Sequence, residues 1–250
     1  MQNNVLNDLK SAIMFITILP AGKDILFSPV GMIRFFPIVG LMLGALLVAA
    51  DTMASMFWPA SVVALMDVLI LVVLTGAFHL DGLGDAADGL FSHRSKERAL
   101  EIMKDSRTGM MGLIAIFCSL ALKIAGIYCI KTVCSSFETV LILFILPSYS
   151  RTSMLFGIRY FKYGREMGTG HDLFEKRLPF TDFMFVALPV ILSLCLGFRA
   201  LILNAAFALS VFLILLFYKK KMGCITGDML GAMCETTESF LFLIAGMSII

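Results

Sequence analysis

The stretch SVVALMDVLILVVLTGAFHLDGLGDAADGL, residues 61–90, joins an apolar run to a group of acids. Its first twenty residues have the length that a helix needs to cross the hydrocarbon core of a bilayer, about 20 residues. Three aspartates then follow at positions 81, 85 and 88. The stretch therefore predicts a spanning helix over 61–80 that runs straight into a charged site at the membrane surface.

Comparable apolar runs recur along all 250 residues, which are 59% hydrophobic and 15% charged. A soluble domain is about 45 to 50% apolar. The first run, Ala12 to Leu19, is too short to span and predicts an interfacial helix. We expect an all-α, polytopic membrane bundle in a single domain over 1–250, with this N-terminal interfacial helix and six to seven transmembrane helices at approximately 35–57, 61–80, 108–130, 137–158, 181–198, 200–218 and 236 to the end.

The distribution of charge gives an orientation. Lys and Arg are concentrated in 81–107, 159–180 and 219–221, and such loops lie on the cytoplasmic side. The carboxyl terminus is then outside, and Asp51, Asp67 and Glu138 fall on that outer side as ordinary solvated charges. The net charge of +2, without a basic tract interleaved with aromatics, argues against a nucleic-acid partner. The six cysteines form no CxxC pair, so neither a zinc site nor a disulfide framework is indicated.

Asp81, Asp85 and Asp88 form the most informative pattern. On a helix that turns 100° per residue they lie within about 60° of one another. Like charges so placed repel, and a divalent cation relieves the repulsion. Oxygen ligands without Cys or clustered His favour Mg²⁺, Mn²⁺ or Ca²⁺ over zinc. A polar helix end that is merely solvated is the alternative.

Nearby residues suggest how a phosphate could approach. Glycines at 82, 84 and 89 lower helix propensity, and they are explained if a phosphate comes close to the backbone. His79 is either a ligand or an interfacial or capping residue. Lys104, Ser106 and Arg107 surround Asp105 before the next apolar run and could bind phosphate, although Lys104 and Arg107 could also be ordinary flanking charge.

A third segment precedes the last apolar run. Thr226 is placed to cap a helix, with Asp228 in its first turn, which is also the explanation that needs no ligand. Glu235 shares the face of Asp228 but lies deep, where a carboxylate indicates function. Arg34, far upstream, and Arg151, within an apolar run, are further residues that could meet an anionic substrate, although Arg151 could equally extend its charged end to the membrane surface.

These residues resemble the cobalamin synthase family, the adenosylcobinamide-GDP ribazoletransferases of bacteria and archaea. Four motifs carry the resemblance in the family's order: FFPIVG (35–40), HLDGLGDAADGLF (79–91), EIMKDSRTG (101–109) and TGDMLGA (226–232). The chain departs from the family pattern at Gly84, where Ala is common, at Cys224, where Gly is expected, and in the YGREMGTG loop (163–170), which puts the role of Arg165 in doubt.

The resemblance implies a Mg²⁺-dependent membrane enzyme that joins adenosylcobinamide-GDP to α-ribazole or its 5′-phosphate and releases GMP. It places the enzyme in the cell inner membrane, in contact with lipid and with the site facing the cytoplasm. It is also compatible with a homo-oligomer. Catalysis and metal binding are expected at Asp81, Asp85, Asp88 and Asp105. The residues expected to bind substrate are His79, Gly82, Gly89, Lys104, Ser106, Arg107, Arg34, Thr226, Asp228 and Glu235.

Two other functions are weighed against this one. The spacing D-x-x-D-G from Asp85 to Gly89, with a later Asp105, is also part of the CDP-alcohol phosphotransferase signature, but the Ala-Arg and the paired distal Asp residues of that signature are missing. An ion transporter would place acids near mid-membrane in several helices. The predicted acids instead gather at one face, so the transferase is favoured.

Overall fold

The computed structural model describes residues 5–22, 25–105, 107–166, 168 and 170–248. Within these ranges the chain forms eleven α-helices and no strand, which confirms the all-α class. The helices are α1 (Val5–Ile16), α2 (Pro29–Met32), α3 (Phe36–Ala54), α4 (Ala60–Leu74), α5 (Phe78–Leu90), α6 (Lys96–Ile102), α7 (Met110–Val133), α8 (Ser136–Tyr160), α9 (Ala187–Ser193), α10 (Phe198–Lys221) and α11 (Gly227–Ala245). Short 3₁₀ segments lie at Ile33–Phe35, His171–Phe174, Phe180–Val186 and Leu194–Leu196.

Among the described residues, four helical stretches are long and apolar enough to cross a membrane, as expected of a multi-pass membrane protein. They are Pro29–Ala54, Met110–Val133, Ser136–Tyr160 and Phe198–Lys221. A fifth is added if α4 and α5 together make one broken span, and Phe180–Leu196 is a shorter apolar helix. The predicted number of six to seven transmembrane helices is therefore not confirmed.

The predicted continuous helix over 61–80 is wrong. The helix α4 ends at Leu74, and α5 begins at Phe78 with its axis turned by 89°. Gly76 and Ala77 between them have φ values of +59° and +57°, in the left-handed region that ends a right-handed helix. His79 and the three aspartates thus lie on a separate helix that leaves the direction of the apolar one.

Two other boundaries also differ from prediction. The amino-terminal helix begins at Val5 rather than near Ala12, and its buried Ala12 and Ile16 belong to the apolar core. The last helix begins at Gly227, well before residue 236, because Thr226 caps it and its polar first half is buried inside the bundle. A hydropathy pattern misses such a start, since buried polar residues lower the apolar signal.

The helix α11 is the centre of the bundle, since it packs against α5, α7, α8 and α10 and is buried along most of its length. Small residues permit the close approach. A Cβ added at Gly126 of α7 would lie 2.6 Å from the carbonyl carbon of Phe242, and one at Gly231 would lie 3.1 Å from the carbonyl oxygen of His79. Close packing at small residues is typical of membrane helices, and here it holds the acidic helix against the centre of the bundle.

Candidate functional site

The three aspartates of α5 lie along one side of that helix, as their spacing predicts. Asp81 is exposed and Asp85 and Asp88 are half-buried, whereas Gly82 and Ala86 between them are buried. We call Asp81, Asp85 and Asp88 the acid stripe. Its members share a helix face, but their hydrogen-bond partners differ.

Asp88 is engaged by the first turn of α7. One carboxylate oxygen accepts a hydrogen bond from the Gly109 amide at 2.6 Å and the other accepts one from the Gly112 amide at 2.8 Å. Gly109 at the N-cap position has no side chain to do this itself, so Asp88 satisfies amides that would otherwise lack a partner. Asp88 therefore links the acid stripe to α7, a contact between helices that the sequence pattern did not indicate.

Asp105 is held by its own loop. Its carboxylate accepts hydrogen bonds from Arg107, through Nε at 3.0 Å, Nη2 at 2.6 Å and the backbone amide at 3.1 Å. The Arg107 side chain and then its amide lower the pKa of Asp105 to about 2 from its ordinary value. Lys104 is exposed. Ser106, a predicted substrate-binding residue, lies outside the described residues.

The segment around Thr226 and Asp228 packs against the helix that carries the acid stripe. Thr226 caps α11 by accepting a hydrogen bond from the Met229 amide at 3.2 Å, as predicted. The α11 backbone at Asp228 lies over Gly82 of α5, where an added Cβ would be 3.0 Å from the Asp228 carbonyl oxygen. Asp228 thus lies next to the acid stripe, and its charge acts on Asp85.

Arg165 also lies beside Asp228. Its Nη2 lies 2.5 Å from Oδ2 of Asp228. Two backbone hydrogen bonds hold its segment against the start of α11, from the Gly164 amide to the Ile225 carbonyl at 2.8 Å and from the Ile225 amide to the Lys162 carbonyl at 3.1 Å. In sequence Arg165 was only a loop cation in a divergent motif, and nothing local indicated Asp228 as its partner.

Asp81 and Asp85 have no hydrogen bond or ion pair within the part of the chain that the structure describes. Asp85 lies in the field of Asp81, Asp88 and Asp228, and among the charges that act most on it only Arg165 is positive. The site therefore carries a surplus of negative charge. Two neighbouring carboxylates without partners are the groups in this site that are free to bind a cation.

No group of three or more His, Cys, Asp or Glu side chains among the described residues is arranged to hold a metal ion by itself. The predicted four-carboxylate ligand set is thus not gathered in this arrangement, and it stays a prediction. Mg²⁺ is usually bound by one or two carboxylates together with substrate phosphates rather than by an all-protein cage. Asp81 and Asp85, as oxygen donors without partners, fit that mode of binding.

The glycines of α5 pack against other helices. Gly82 contacts α11, and Gly89 faces α6, where an added Cβ would lie 2.8 Å from the carbonyl oxygen of Ala99. Both are buried. Their missing side chains therefore admit neighbouring helices, which explains them without substrate, and the role predicted for them in substrate binding stays a prediction.

Three predicted substrate-binding residues form no bond with the acid stripe. Arg34 pairs with Asp8 of α1 at 2.6 Å. His79 is 1% exposed at the start of α5, and neither ring nitrogen has a hydrogen-bond partner among the described residues. Glu235 is buried and lies 2.5 Å from Nζ of Lys123. None of the three forms a hydrogen bond or an ion pair with the acid stripe, and their predicted role stays a prediction.

Glu235 belongs to a set of buried charges that sequence reasoning largely missed. Lys123 of α7 also contacts Glu238 at 2.6 Å, and Glu238 is paired with Arg151 of α8. We call Lys123, Glu235, Glu238 and Arg151 the buried charge network. The available signal was the occurrence of Lys123 and Arg151 within apolar runs, since charges inside such runs pair with one another.

The prediction that Asp51 and Asp67 are solvated is wrong. Asp51 lies within α3, is 6% exposed and pairs with Lys131 of α7, while Asp67 lies within α4 and is fully buried. Each belongs to a helix rather than to a loop, so packing removes it from water. Glu138 is partly exposed in the first turn of α8, where it forms a capping box with the N-cap residue Ser135, and it also pairs with Arg199 at 3.2 Å.

The chain is similar to known proteins at the level of a whole family and of individual sequences. The model of the family described as Cobalamin-5-phosphate synthase matches residues 8–246. The chain is 35% identical to the adenosylcobinamide-GDP ribazoletransferase of Alkaliphilus metalliredigens over 96% of its own length and 97% of that protein's. Proteins of the same name from Desulfitobacterium hafniense and Clostridium botulinum (strain Kyoto / Type A2) are 37% identical over 87% and 86%, and 32% identical over 96% and 98%, of the two chains. No solved structure matches.

Proposed function

Because the chain belongs to the Cobalamin-5-phosphate synthase family, we propose that it is a transferase that joins adenosylcobinamide-GDP to α-ribazole or α-ribazole 5′-phosphate. The product is adenosylcobalamin or its 5′-phosphate, and GMP is released, which is the nucleotide-loop assembly step of cobalamin biosynthesis. The family match supports this reaction over the CDP-alcohol phosphotransferase alternative. The observation that carries the site assignment is the pair of unpartnered carboxylates, Asp81 and Asp85, where three motif segments converge.

The reaction needs charge neutralisation and alignment. A ribose hydroxyl oxygen attacks the phosphorus that bears the cobinamide arm, a new P–O bond forms, and the P–O bond to the GMP phosphate breaks with its electrons going to GMP. The hydroxyl proton passes to a free carboxylate oxygen of Asp81 or Asp85, the members of the acid stripe that have no protein partner among the described residues. Asp88, bound to the α7 amides, and Asp228, bound to Arg165, fix the helix ends around the reacting groups.

We propose further that the enzyme is Mg²⁺-dependent, with the ion held by Asp81, Asp85 and oxygens of the substrate pyrophosphate. The surplus of negative charge at the acid stripe supports this. Without a cation, the anionic acid stripe and the anionic substrate pyrophosphate would repel each other. When bound, Mg²⁺ would neutralise charge on the pyrophosphate as the leaving group departs. The side chains of Asp88 and Asp105 already have protein partners in this arrangement.

We propose that the enzyme lies in the cell inner (plasma) membrane with the acid stripe facing the cytoplasm. The four apolar stretches support membrane insertion, and the excess of Lys and Arg in 81–107 and 159–180 supports this orientation. Both substrates are polar and adenosylcobinamide-GDP carries a pyrophosphate, so a site at the cytoplasmic surface is open to them without passage through lipid. Reporter fusions after residues 95, 133 and 170 test the orientation. A cytoplasmic signal from the fusion at 133 would contradict it.

The decisive test of function is turnover by purified protein in detergent. With Mg²⁺, adenosylcobinamide-GDP and α-ribazole or its 5′-phosphate, we expect equimolar GMP and a cobalamin product, and loss of both on chelation of the metal. Asp85→Asn should remove turnover, whereas the matched control Glu97→Gln changes a fully exposed carboxylate of α6 and should retain it. Release of CMP from a CDP-activated lipid, with no GMP from adenosylcobinamide-GDP, would replace this function by the alternative.

A further inference from the structure

A cavity of about 530 Å³ opens beside the chain segment that follows α8. Six of its lining residues are cationic or able to become so: Arg159, Lys162, Arg165, His171, Lys176 and Arg177. Among the described residues that line it, Glu175 is the one acid. We call this cavity the basic pocket. Its size is within the range of small-molecule sites, about 300 to 1,000 Å³, and its charge selects an anion.

Two guanidinium groups in the basic pocket hold buried donors that lack acceptors. Nε and Nη1 of Arg159 are buried without a hydrogen-bond partner among the described residues, as is Nε of Arg165. The Arg165 side chain is only 10% exposed. A buried charged donor without an acceptor is costly, and a planar guanidinium is the group best matched to phosphate oxygens. The pocket is thus prepared for a phosphate.

The other cations add positive charge without being neutralised. Lys162, Lys176 and Arg177 are exposed and form no ion pair within the part of the chain that the structure describes. Arg159 lies over the ring of Phe180, with its guanidinium carbon 4.7 Å from the ring centroid, which orients the side chain but leaves its charge uncompensated. The excess of cations over acids suits a dianionic phosphate better than a single carboxylate.

Aromatic side chains line the same cavity. The rings of Tyr163 and Phe174 have centroids 5.2 Å apart, and both residues are half-buried. Tyr160, which also lines the cavity, is exposed. Aromatic rings are the groups on which nucleobases stack, because every base has a π face. Phosphate-matched cations next to aromatic rings indicate a ligand that carries both a phosphate and a base.

The basic pocket is connected to the acid stripe. Arg165 contributes to its lining and at the same time pairs with Asp228, whose backbone lies over Gly82 of α5. The hydrogen bonds of Gly164 and Ile225 fix this junction. A ligand in the pocket is therefore next to the carboxylates that the proposed reaction uses.

We propose that the basic pocket binds a nucleoside 5′-monophosphate group, with the phosphate at Arg159 and Arg165 and the base against Tyr163 and Phe174. This inference rests on the proposed function, which supplies two sources of such a group. One is the GMP half of adenosylcobinamide-GDP, which leaves as GMP. The other is α-ribazole 5′-phosphate, whose phosphate and benzimidazole base have the same chemistry.

Direct binding tests the pocket independently of turnover. Purified protein in detergent is titrated with GMP, guanosine and inorganic phosphate by calorimetry, with EDTA present so that no metal bridges GMP to the acid stripe. We expect GMP to bind about tenfold or more tightly than guanosine, because charged hydrogen bonds to phosphate contribute at least that factor. Arg159→Gln should weaken GMP binding about tenfold or more.

Matched variants separate binding from folding. Lys176→Gln/Arg177→Gln alters only exposed side chains of the pocket and should also weaken GMP binding, while Arg94→Gln, an exposed arginine outside the pocket, should not. Unchanged GMP affinity in both pocket variants would overturn the proposal. So would displacement of GMP by phosphatidylglycerol, because the cations would then serve a lipid headgroup.

Steady-state kinetics with the same variants identify which substrate places its nucleoside monophosphate group in the basic pocket. If the pocket holds the acceptor phosphate, KM rises about tenfold for α-ribazole 5′-phosphate and is unchanged for α-ribazole. If it holds the GMP half, KM for adenosylcobinamide-GDP rises with either acceptor, and product inhibition by GMP weakens. An unchanged KM for all three substrates overturns the proposal. If the wild-type chain binds GMP in the pocket but shows no turnover, the proposed function is wrong and the proposal for the basic pocket stands.

Discussion

The acid stripe and the buried charge network contain the same kinds of group in opposite circumstances. In the network, Glu235 and Glu238 are matched by Lys123 and Arg151, and all four side chains are at most 6% exposed. On α5, Asp81 and Asp85 have no partner among the described residues, and the nearby charges are mostly negative. In the buried charge network each charge is paired within the protein. The acid stripe carries unpaired negative charge that a bound cation must balance.

This contrast separates structural charge from functional charge. A neutral network sealed from water holds α7, α8 and α11 together through groups 87 to 115 residues apart in sequence, and breaking it leaves an uncompensated buried charge. An unpartnered pair at a half-exposed helix face costs little in folding, because water solvates it until a cation and substrate arrive. Substitutions in the buried charge network should therefore lower stability, whereas substitutions in the acid stripe should lower turnover.

The largest effect is expected from breaking the buried charge network. Arg151→Met leaves Glu235 and Glu238 with Lys123 alone, and we expect a loss of about 3 to 5 kcal/mol in stability, as for other broken buried pairs. Thermal unfolding in detergent and yield from membranes measure it.

The compensating double variant serves as its control. Arg151→Met with Glu238→Gln removes one charge of each sign and leaves Lys123 paired with Glu235. It should recover a large part of the lost stability. If the double variant is no better than the single one, charge balance is not what the network provides.

The next largest effect is expected at the acid stripe, on turnover rather than on folding. Asp85→Asn should lower GMP release at least about 100-fold, which is roughly 2.7 kcal/mol of transition-state stabilisation. Its unfolding temperature should change little, since no described residue depends on its carboxylate. An Asp85→Asn variant that unfolds early but has normal turnover would reverse the comparison.

Asp51→Asn is expected to affect stability rather than turnover. Asp51 is buried within α3 and pairs with Lys131, so the amide would weaken a contact between α3 and α7. We expect lower stability with normal turnover per folded molecule, which is the pattern of the buried charge network on a smaller scale. Glu97, exposed on α6, is the appropriate control.

The same contrast explains what the sequence could and could not predict. The acid stripe was predicted because its members lie four and three residues apart, and helix geometry alone then places them on one face. Thr226 was predicted as a cap for the same local reason. The partners of Asp88, Asp228 and Glu238 could not be predicted, because each lies on another helix and its contact exists only once the helices pack.

The bend before α5 illustrates a second limit. Hydropathy averages over a window of about 19 residues, so it merged α4 with the start of α5 into one run. The turn at Gly76 and Ala77 depends on two backbone conformations that such an average does not register. The buried positions of Asp51 and Asp67 were missed for a related reason, since a charge inside an apolar run is assigned to a loop unless a partner is known.

A smaller effect is expected at Asp88, where two roles can be separated. If Asp88 acts through the α7 amides, Asp88→Asn should cost about 1 kcal/mol of stability, and the Mg²⁺ concentration for half-maximal GMP release should change by less than about twofold. Asp81→Asn should raise that concentration about tenfold, as loss of a direct ligand would. Equal Mg²⁺ shifts in the two variants would return Asp88 to the ligand set that the sequence predicted.

The smallest effect is expected at Gly84, and it tests how closely α5 is held. A Cβ at Gly84 would lie 3.0 Å from Cδ1 of Ile116, the free end of a side chain that can rotate away. Alanine also favours a helix over glycine by about 1 kcal/mol, so Gly84→Ala should change stability by less than about 0.5 kcal/mol and leave GMP release intact. Gly84→Ala with Ile116→Val removes the contacting methyl and should be at least as stable.

Gly82→Ala is the comparison that gives this result meaning. The same added methyl at Gly82 would lie 3.0 Å from the carbonyl oxygen and 3.1 Å from the Cα of Asp228, and backbone atoms cannot rotate away. The first turn of α11 must shift, and Asp228 with its partner Arg165 shifts too. We therefore expect Gly82→Ala to lower turnover about tenfold or more while Gly84→Ala does not. Equal activity in the two variants would show that the α5 and α11 contact does not set the geometry of the site.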